Sequence, residues 1–147
     1  MTKLTDHFTL EELYASEIAD RNKIDNIPKD PIVLKNLYFL ATQLELVRSL
    51  LNSPIHINSA YRCLGVNNLL GSKPTSAHVQ GLAADIVCPA FGNPRAVVNA
   101  IIGSNIQYDQ VILEYDRWCH IGFKPQGEPQ RLQQLIIDKS GTRNYAA

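Results

Sequence analysis

The stretch SAHVQGLAADIV at residues 76–87 places His78 and Asp85 seven positions apart, with Gly81 between them. A straight helix cannot bring both side chains to one metal ion, because seven residues rise about 10.5 Å along the helix axis. Two ligands of one zinc ion, each about 2 Å from it, must lie within roughly 3–4 Å of each other. The chain must therefore turn between His78 and Asp85, and Gly81 supplies the backbone freedom for that turn.

A carboxylate and a second histidine lie in two apolar segments that are predicted to be strands. Asp85 lies within the apolar run 83–88, where a buried carboxylate needs a cation or strong hydrogen bonds. His120 is a polar residue in the apolar segment 118–123. Two histidines and one carboxylate leave a fourth tetrahedral position for water, which is typical of catalytic zinc sites. We therefore predict that His78, Asp85 and His120 bind one Zn²⁺ ion.

Length and charge predict one domain without a broad attraction for polyanions. The 147 residues are 45% hydrophobic, which fits a single domain, 1–147, with a sizeable core. Fourteen basic and fourteen acidic residues cancel, so we expect a monomer that neither binds nucleic acid nor inserts into membranes. The first residues lack the apolar stretch of a signal peptide, which predicts a chain that is cytoplasmic as synthesised. Cys63, Cys88 and Cys119 are expected to be buried free thiols.

Two helices are predicted before the metal-ligand motif. Thr9 and Glu12 form a capping box, which predicts a helix from there to about Ala19. Asp30 and Pro31 then begin a longer helix. Apolar residues on one face of this helix recur at helical spacing and predict the main core contact, namely Val33, Leu34, Leu37, Ala41, Leu44, Val47 and Leu51.

The remainder of the chain is predicted to be mainly strands. Strands are expected at residues 55–60, 83–88, 110–115 and 118–123, and a helix at about 94–102. Residues 65–76 are predicted as a loop, 132–137 as a last strand or a helical turn, and 138–147 as a loose tail. These elements predict an α+β domain, with an antiparallel sheet of about four to five strands and N-terminal helices packed against it.

Three motifs in this order resemble those of the D-alanyl-D-alanine carboxypeptidase-like zinc peptidases. They are Ser59-Ala60-Tyr61-Arg62, then His78-x-x-Gly81-x-Ala83-x-Asp85 preceded by Ser76, then Trp118-x-His120. These motifs lie within about residues 54–125. The resemblance extends over roughly residues 7–125, because HFTLEEL at residues 7–13 and the loop at 24–28 resemble the short, phage or prophage branch. Related folds occur in lysostaphin-type enzymes and hedgehog signalling domains.

The resemblance implies a zinc metallopeptidase that hydrolyses peptidoglycan stem peptides containing D-amino acids. The enzyme would be either a D-Ala-D-Ala carboxypeptidase or an endolysin-type endopeptidase. If a phage or prophage encodes it, it would act on the cell wall after release. Arg62 resembles the family arginine that holds a substrate carboxylate or the developing oxyanion. Ser76 either hydrogen-bonds to the substrate or caps the turn. Trp118 either lines the cleft, as a substrate-binding residue, or packs in the core.

The general base is the position at which the chain departs from the family pattern. Many members carry a carboxylate three residues before the last histidine, where this chain has Arg117, which cannot act as a base. Glu114 and Asp116 are the two alternatives, and hedgehog-type relatives carry a glutamate at the offset of Glu114. A three-residue loop at 116–118 would pair Glu114 with His120 on one face, whereas a two-residue loop at 116–117 would place them on opposite faces. We expect Glu114 and the odd-length loop.

Two other functions fit the same motifs. One is a non-catalytic binding module that retains zinc for structure, as hedgehog-type domains do on this architecture. The other is an intracellular dipeptidase acting on free D-Ala-D-Ala, which would differ in the closure of its cleft. The products formed from muropeptides would separate these functions.

Overall fold

The computed structural model describes residues 1–145. Within them, the long apolar helix packs against one face of a six-stranded sheet. The helices are α1 (Leu10–Tyr14), α2 (Glu17–Arg21), α3 (Pro31–Leu51), α4 (Leu64–Leu69) and α5 (Pro94–Ile102). The strands are β1 (His56–Ser59), β2 (Ala83–Val87), β3 (Gln110–Glu114), β4 (Trp118–Gly122), β5 (Gln133–Asp138) and β6 (Gly141–Asn144).

The sheet has the order β1-β2-β4-β3-β5-β6, and its neighbouring strands are antiparallel except for the parallel pair β3 and β5. The predicted α+β fold is therefore confirmed, with six strands in the described residues rather than four to five. The sequence predicted either a last strand or a helical turn at residues 132–137, and most of these residues belong to strand β5.

Helix α3 begins and ends as its sequence predicts. The side chain of Asp30 accepts a hydrogen bond from the backbone N–H of Ile32 at 2.9 Å, and Pro31 occupies the first turn. Asn52 ends the helix in the left-handed conformation, with φ 48°. Most of the predicted apolar face is buried, whereas Val33 and Leu34 are half-buried. The buried residues of α3 are Leu37, Leu40, Ala41, Leu44, Val47 and Leu51.

Strand alternation gives the sheet two different faces. One face packs with α3 and α5 in the hydrophobic core, and its central strands contribute Ala84, Ile86, Val111, Leu113, Cys119 and Ile121. The residues between them point the other way, because successive side chains of a strand alternate. Asp85, Glu114 and His120 are therefore on the face opposite to the helical core. The fold thus separates the polar residues of interest from the main core.

The first predicted helix is interrupted, which corrects the expectation of one helix to Ala19. It ends at Tyr14, and Ser16 begins α2 by accepting a hydrogen bond from the backbone N–H of Ala19 at 3.1 Å. The carbonyl of Leu13 accepts from the N–H of Tyr61 at 2.8 Å. The carbonyl of Tyr14 accepts from the side chain of Asn26 at 2.7 Å. Partners distant in sequence therefore bond the carbonyls that a longer helix would have used.

Two segments predicted as irregular contain regular structure. The predicted loop at 65–76 begins within α4, where Val66 is 1% exposed and helps to fold the segment onto the protein. The predicted loose tail contains β6, which pairs with β5 although every residue of β6 is exposed. Ala146 and Ala147, the end of that predicted tail, lie outside the described residues. The prediction of a loop is therefore wrong over α4, and the prediction of a loose tail is wrong over β6.

The cysteines are free thiols, as expected, although Cys63 is only partly buried. Among the described residues, no helix combines the length and apolar character needed to cross a bilayer.

Gly81 forms the turn that the spacing of His78 and Asp85 requires. Its φ is +76°, a conformation that residues with a Cβ rarely adopt. A Cβ at this position would lie 3.0 Å from Leu37 Cγ and 3.1 Å from the carbonyl oxygen of Val33. The turn is therefore packed directly against α3, and glycine is needed for both its dihedral angle and its size.

Replacing Gly81 by alanine should destabilise the protein more than replacing Gly71, which has φ +71° but no atom within 4 Å of a built Cβ. Gly71→Ala meets only the backbone penalty, about 1–2 kcal/mol. Gly81→Ala should lose about 1–3 kcal/mol more, because its methyl group overpacks the contact with α3. Urea unfolding followed by tryptophan fluorescence measures both losses in the free energy of unfolding. Equal losses would show that contact with α3 does not constrain this turn.

Candidate metal centre

Strand pairing and the Gly81 turn bring His78, Asp85 and His120 together. Asp85 lies directly opposite His120 in the pairing of β2 with β4. His78 Nε2 is 3.4 Å from Asp85 Oδ1, and His120 Nδ1 is 2.9 Å from the same oxygen. One potential ligand atom from each residue lies within 4.8 Å of the others, and all three residues are buried. These separations are close to those expected around a single zinc ion, roughly 3–4 Å.

The hydrogen bond of His78 favours the protonation state that a metal ion needs. His78 Nδ1 lies 2.6 Å from the carbonyl oxygen of Ala60. A carbonyl only accepts, so Nδ1 carries the hydrogen and Nε2 keeps its lone pair. Burial lowers the pKa of His78 and favours the neutral ring. Burial alone would raise the pKa of Asp85, but the hydrogen bond from His120 holds it well below its usual range. The donor set therefore fits zinc.

Arg62 is attached to this cluster through both its backbone and its side chain. Its backbone N–H donates to the carbonyl of His78 at 3.1 Å. Its Nη2 donates to Asp85 Oδ2 at 3.1 Å, and its Nε donates to Ser59 Oγ at 3.1 Å. The two oxygens of Asp85 thus face different partners, the histidines at Oδ1 and Arg62 at Oδ2. Among the described residues, Nη1 of Arg62 has no hydrogen-bond acceptor, and it remains available to another anion.

A buried asparagine holds the backbone on both sides of Arg62. Asn26 Nδ2 donates to the carbonyl of Tyr61 at 3.1 Å as well as to that of Tyr14. Asn26 Oδ1 accepts from the backbone N–H of Cys63 at 2.8 Å. Asn26 lies in the loop that resembles the family, but its sequence context indicates no role for it, because its partners are distant in sequence. The structure shows that it connects the end of α1 to the arginine segment.

Glu114 lies on the same face as His120, as predicted, but through a different pairing. The hairpin loop consists of residues 115–117, so Glu114 pairs with Trp118 and Ile112 pairs with His120. The predicted loop at 116–118, which would pair Glu114 directly with His120, is wrong by one position. Tyr115 and Asp116 adopt φ 57° and 54°, and the N–H of Arg117 donates to the carbonyl of Glu114 at 3.0 Å. Positive φ at both central residues is characteristic of type I′ turns.

The two candidate bases have different surroundings. Glu114 Oε1 is 3.6 Å from His120 Nδ1. Burial raises the pKa of Glu114 and the charge of Asp85 raises it further, while His120 and Arg62 oppose the rise. The side chain of Asp116 is 69% exposed at the hairpin tip, where its Oδ1 is 3.4 Å from Arg95 Nη2. Of this pair, only Glu114 is partly buried and lies close to the His-Asp-His cluster.

A cleft of about 370 Å³ opens above the cluster. Ser76 lines it and also caps the turn, since Ser76 Oγ accepts from the backbone N–H of His78 at 3.2 Å. Trp118 lines it as well, and its Nε1 is buried without a hydrogen-bond partner in the described part of the chain. Three further residues that were not predicted from the sequence line the cleft, namely Leu70, Ser72 and Tyr115. Leu70 and Ser72 lie in the segment predicted as a loop and carry no motif signal.

One protein family matches most of this chain. The sequence profile of the family described as Peptidase M15 matches residues 6–122. This range includes Arg62, Glu114 and the three residues of the His-Asp-His cluster. No curated protein shows a significant match to the chain. Because the family profile covers most of the sequence, the chain belongs to the peptidase M15 family.

Proposed function

We propose that this chain is a zinc-dependent peptidase that hydrolyses peptide bonds in peptidoglycan stem peptides containing D-amino acids. The observation that carries the proposal is the buried His-Asp-His cluster beneath an open cleft, with Glu114 and Arg62 lining the same cleft. Membership of the peptidase M15 family supports a peptide as the substrate. The enzyme cleaves either the terminal bond, as a D-Ala-D-Ala carboxypeptidase, or an internal bond, as an endolysin-type endopeptidase.

His78, Asp85 and His120 would hold the zinc ion, because they are the buried donors that converge on one position. Zinc with three protein ligands acts as a Lewis acid towards a carbonyl group and lowers the pKa of water to about 7. The hydrogen bond from His78 to Ala60 fixes the ring orientation that presents Nε2. The same residues leave one side of the cluster open to the cleft, where a peptide carbonyl can enter.

Glu114 acts as the general base in this proposal. It accepts a proton from the attacking water and then donates it to the amine that leaves when the peptide bond breaks. Its raised pKa supports this cycle, because the carboxyl group must accept the proton and later release it. Partial burial in the cleft is the largest cause of the raised pKa. Asp116, which is exposed beside Arg95, is less suited to this role.

Arg62, Ser76 and Trp118 bind the substrate in this proposal. Arg62 directs Nη1 to a substrate carboxylate or to the oxygen that becomes negative during attack. The hydroxyl of Ser76 can hydrogen-bond to peptide groups in the cleft, and the Trp118 side chain, which lines the same cleft, can pack against the substrate. The resemblance to the short phage or prophage branch supports a lysis role at the cell wall after release.

The alternative of a non-catalytic zinc module is favoured by one observation, the presence of Arg117 where many relatives carry the base. The position of Glu114 weakens it. This glutamate is 3.6 Å from His120 and lines the cleft, which is where a substitute base would have to lie. The peptidase is therefore the function that the geometry supports best.

Metal removal should abolish hydrolysis of purified muropeptides, and added zinc should restore it. Mass spectrometry of the products shows whether cleavage occurs and which bond is cut. Metal analysis should give one zinc per chain, with binding weakened or lost in His78→Ala and His120→Ala because each loses a ligand. His56→Ala is the matched control, since His56 is an exposed histidine of β1 outside the cluster. Full zinc content in both cluster variants would refute the assignment.

Replacing Glu114 by glutamine should reduce turnover by about 10²–10⁴ while zinc remains bound. Glutamine has nearly the same size but cannot accept the proton. Asp116→Asn is the matched control, and it should retain activity because Asp116 lies at the exposed hairpin tip. Rates on a muropeptide, with zinc content measured in parallel, test both variants. An active Glu114→Gln together with an inactive Asp116→Asn would reverse the assignment.

Replacing Arg62 by lysine should lower kcat/KM for peptidoglycan fragments at least tenfold, which corresponds to about 1.4 kcal/mol. Lysine keeps the charge but lacks the planar guanidinium fork, whose separate nitrogens reach Asp85 and Ser59 and leave Nη1 for a substrate. Arg117→Lys, at the exposed tip of the hairpin, should remain at the wild-type level. Circular dichroism and zinc analysis verify that the fold and the metal centre persist. Wild-type kinetics in Arg62→Lys would mean that the guanidinium group has no role in catalysis.

A further inference from the structure

A groove of about 690 Å³ adjoins the cleft of the metal centre. The two hollows share Arg62, Leu70, Asp85 and Trp118, so they are continuous. From the shared residues the groove follows β1 and is also lined by residues of α2, including Ile18 and Arg21. It has nearly twice the volume of the cleft. A ligand that fills both hollows must be considerably longer than the group that reacts.

One side of this groove is an edge strand. Strand β1 is the first in the sheet order and pairs with β2 alone among the described strands. Within residues 1–145, the backbone of residues 56–59 makes no hydrogen bond outside that pairing. The side chains of His56 and Asn58 are exposed and line the groove. An edge of this kind presents N–H and C=O groups to which another extended chain can pair.

A β-bulge aligns this edge with the metal centre. Ile57 pairs with Ile86 and Ser59 pairs with Asp85, so Asn58 is an additional residue without its own partner on β2. Bulges change the direction of side chains and interrupt pairing, and they are common next to active sites. Here the bulge places Ser59 opposite Asp85, where its hydroxyl accepts the hydrogen bond from Arg62. The exposed edge and the metal-ligand residue are therefore adjacent in the structure.

We infer that β1 is a docking strand for the substrate, to which an extended peptide pairs while its scissile bond lies over the His-Asp-His cluster. This mode of recognition adds a peptide strand to a sheet edge through main-chain hydrogen bonds. The inference rests on the proposed peptidase function and specifies its substrate as a peptide several residues long. Four residues of extended chain span about 13 Å, which matches the four residues of β1.

The continuity of groove and cleft identifies the substrate as the occupant. Arg62 and Asp85 line both hollows, so a chain paired to β1 leads directly to the reacting groups. A free dipeptide would occupy the cleft and leave the groove empty. The docking strand therefore favours a stem peptide over D-Ala-D-Ala alone. Because main-chain pairing is indifferent to many side chains, the edge would contribute affinity, and the cleft would select the bond.

Kinetics on peptides of increasing length test the docking strand. The probes are the stem pentapeptide L-Ala-γ-D-Glu-L-Lys-D-Ala-D-Ala and its fragments, shortened from either end around the bond that is cleaved. In the wild type, kcat/KM should rise at least tenfold as the peptide extends along the groove. Asn58→Trp should reduce this gain to less than threefold, because the indole group obstructs the edge. A gain that persists undiminished in Asn58→Trp overturns the proposal.

Thr142→Trp is the matched control, because it places the same side chain on an exposed residue of β6, the other edge strand of the described sheet. It should keep the full dependence on peptide length. Loss of the gain in both variants would mean that tryptophan on any edge strand impairs the protein, and the docking strand would be rejected. Absence of hydrolysis of any peptide by the zinc-loaded wild type is a different outcome, since it contradicts the peptidase function itself.

Amide hydrogen exchange tests the pairing without any catalysis. In zinc-loaded Glu114→Gln saturated with the pentapeptide, the outward amides of β1 should exchange at least tenfold more slowly, whereas those of β6 should not change. Unchanged exchange along β1 in the saturated complex would overturn the docking strand even if the enzyme is active. Protection of β1 without peptide, together with a dimer in size-exclusion chromatography, would instead identify a second copy of the chain as the occupant.

Discussion

The carboxylate of Asp85 is a buried negative charge, and the arrangement of the His-Asp-His cluster depends on how that charge is compensated. Burying an ionised group costs several kcal/mol unless charges or hydrogen bonds replace the lost water. Here Oδ1 faces His78 and His120, and Oδ2 accepts from Arg62. Each of these partners reaches Asp85 from a different segment of the chain. The carboxylate therefore connects the Gly81 turn, the central hairpin and the segment that follows β1.

The sheet makes this convergence possible because its two faces have different chemistry. Ala84 and Ile86 flank Asp85 on β2, and their side chains belong to the helical core on the opposite face. A register shift of one residue in β2 would exchange these faces and place the carboxylate in the core. The apolar surface that packs on α3 and α5 thus fixes the direction of the polar residues. Stability and function depend on the same alternation.

The sequence predicted the features that local chemistry determines. Caps at Thr9 and Asp30, the apolar face of α3 and the alternation around Asp85 and His120 are all encoded within a few positions. The turn at Gly81 was predicted because the spacing of the histidine and aspartate allows no straight helix. The α+β class followed from the order of these elements. The functional roles of the side chains remain proposals, whereas their positions relative to one another are now described.

The features that the sequence did not predict depend on distant contacts. The first helix ends at Tyr14 because Tyr61 and Asn26 bond to its last carbonyls. The hairpin turn has positive φ values at Tyr115 and Asp116 without the glycine or asparagine that usually indicates such a turn, and the N–H of Tyr115 donates to the distant carbonyl of Ile137. Strand β6 is exposed along its whole length and has no apolar alternation to reveal it. In each case the deciding interaction joins residues that a local pattern cannot relate.

The most direct measurement of the central claim is a crystal structure of the zinc-soaked protein with anomalous data collected on both sides of the zinc absorption edge. We expect one strong zinc-specific peak about 2.0–2.2 Å from His78 Nε2, His120 Nδ1 and a carboxylate oxygen of Asp85. The peak should face the cleft that Glu114 and Arg62 line. A zinc peak elsewhere, or no peak at this cluster when the crystal is saturated with zinc, would contradict the assignment of the metal centre.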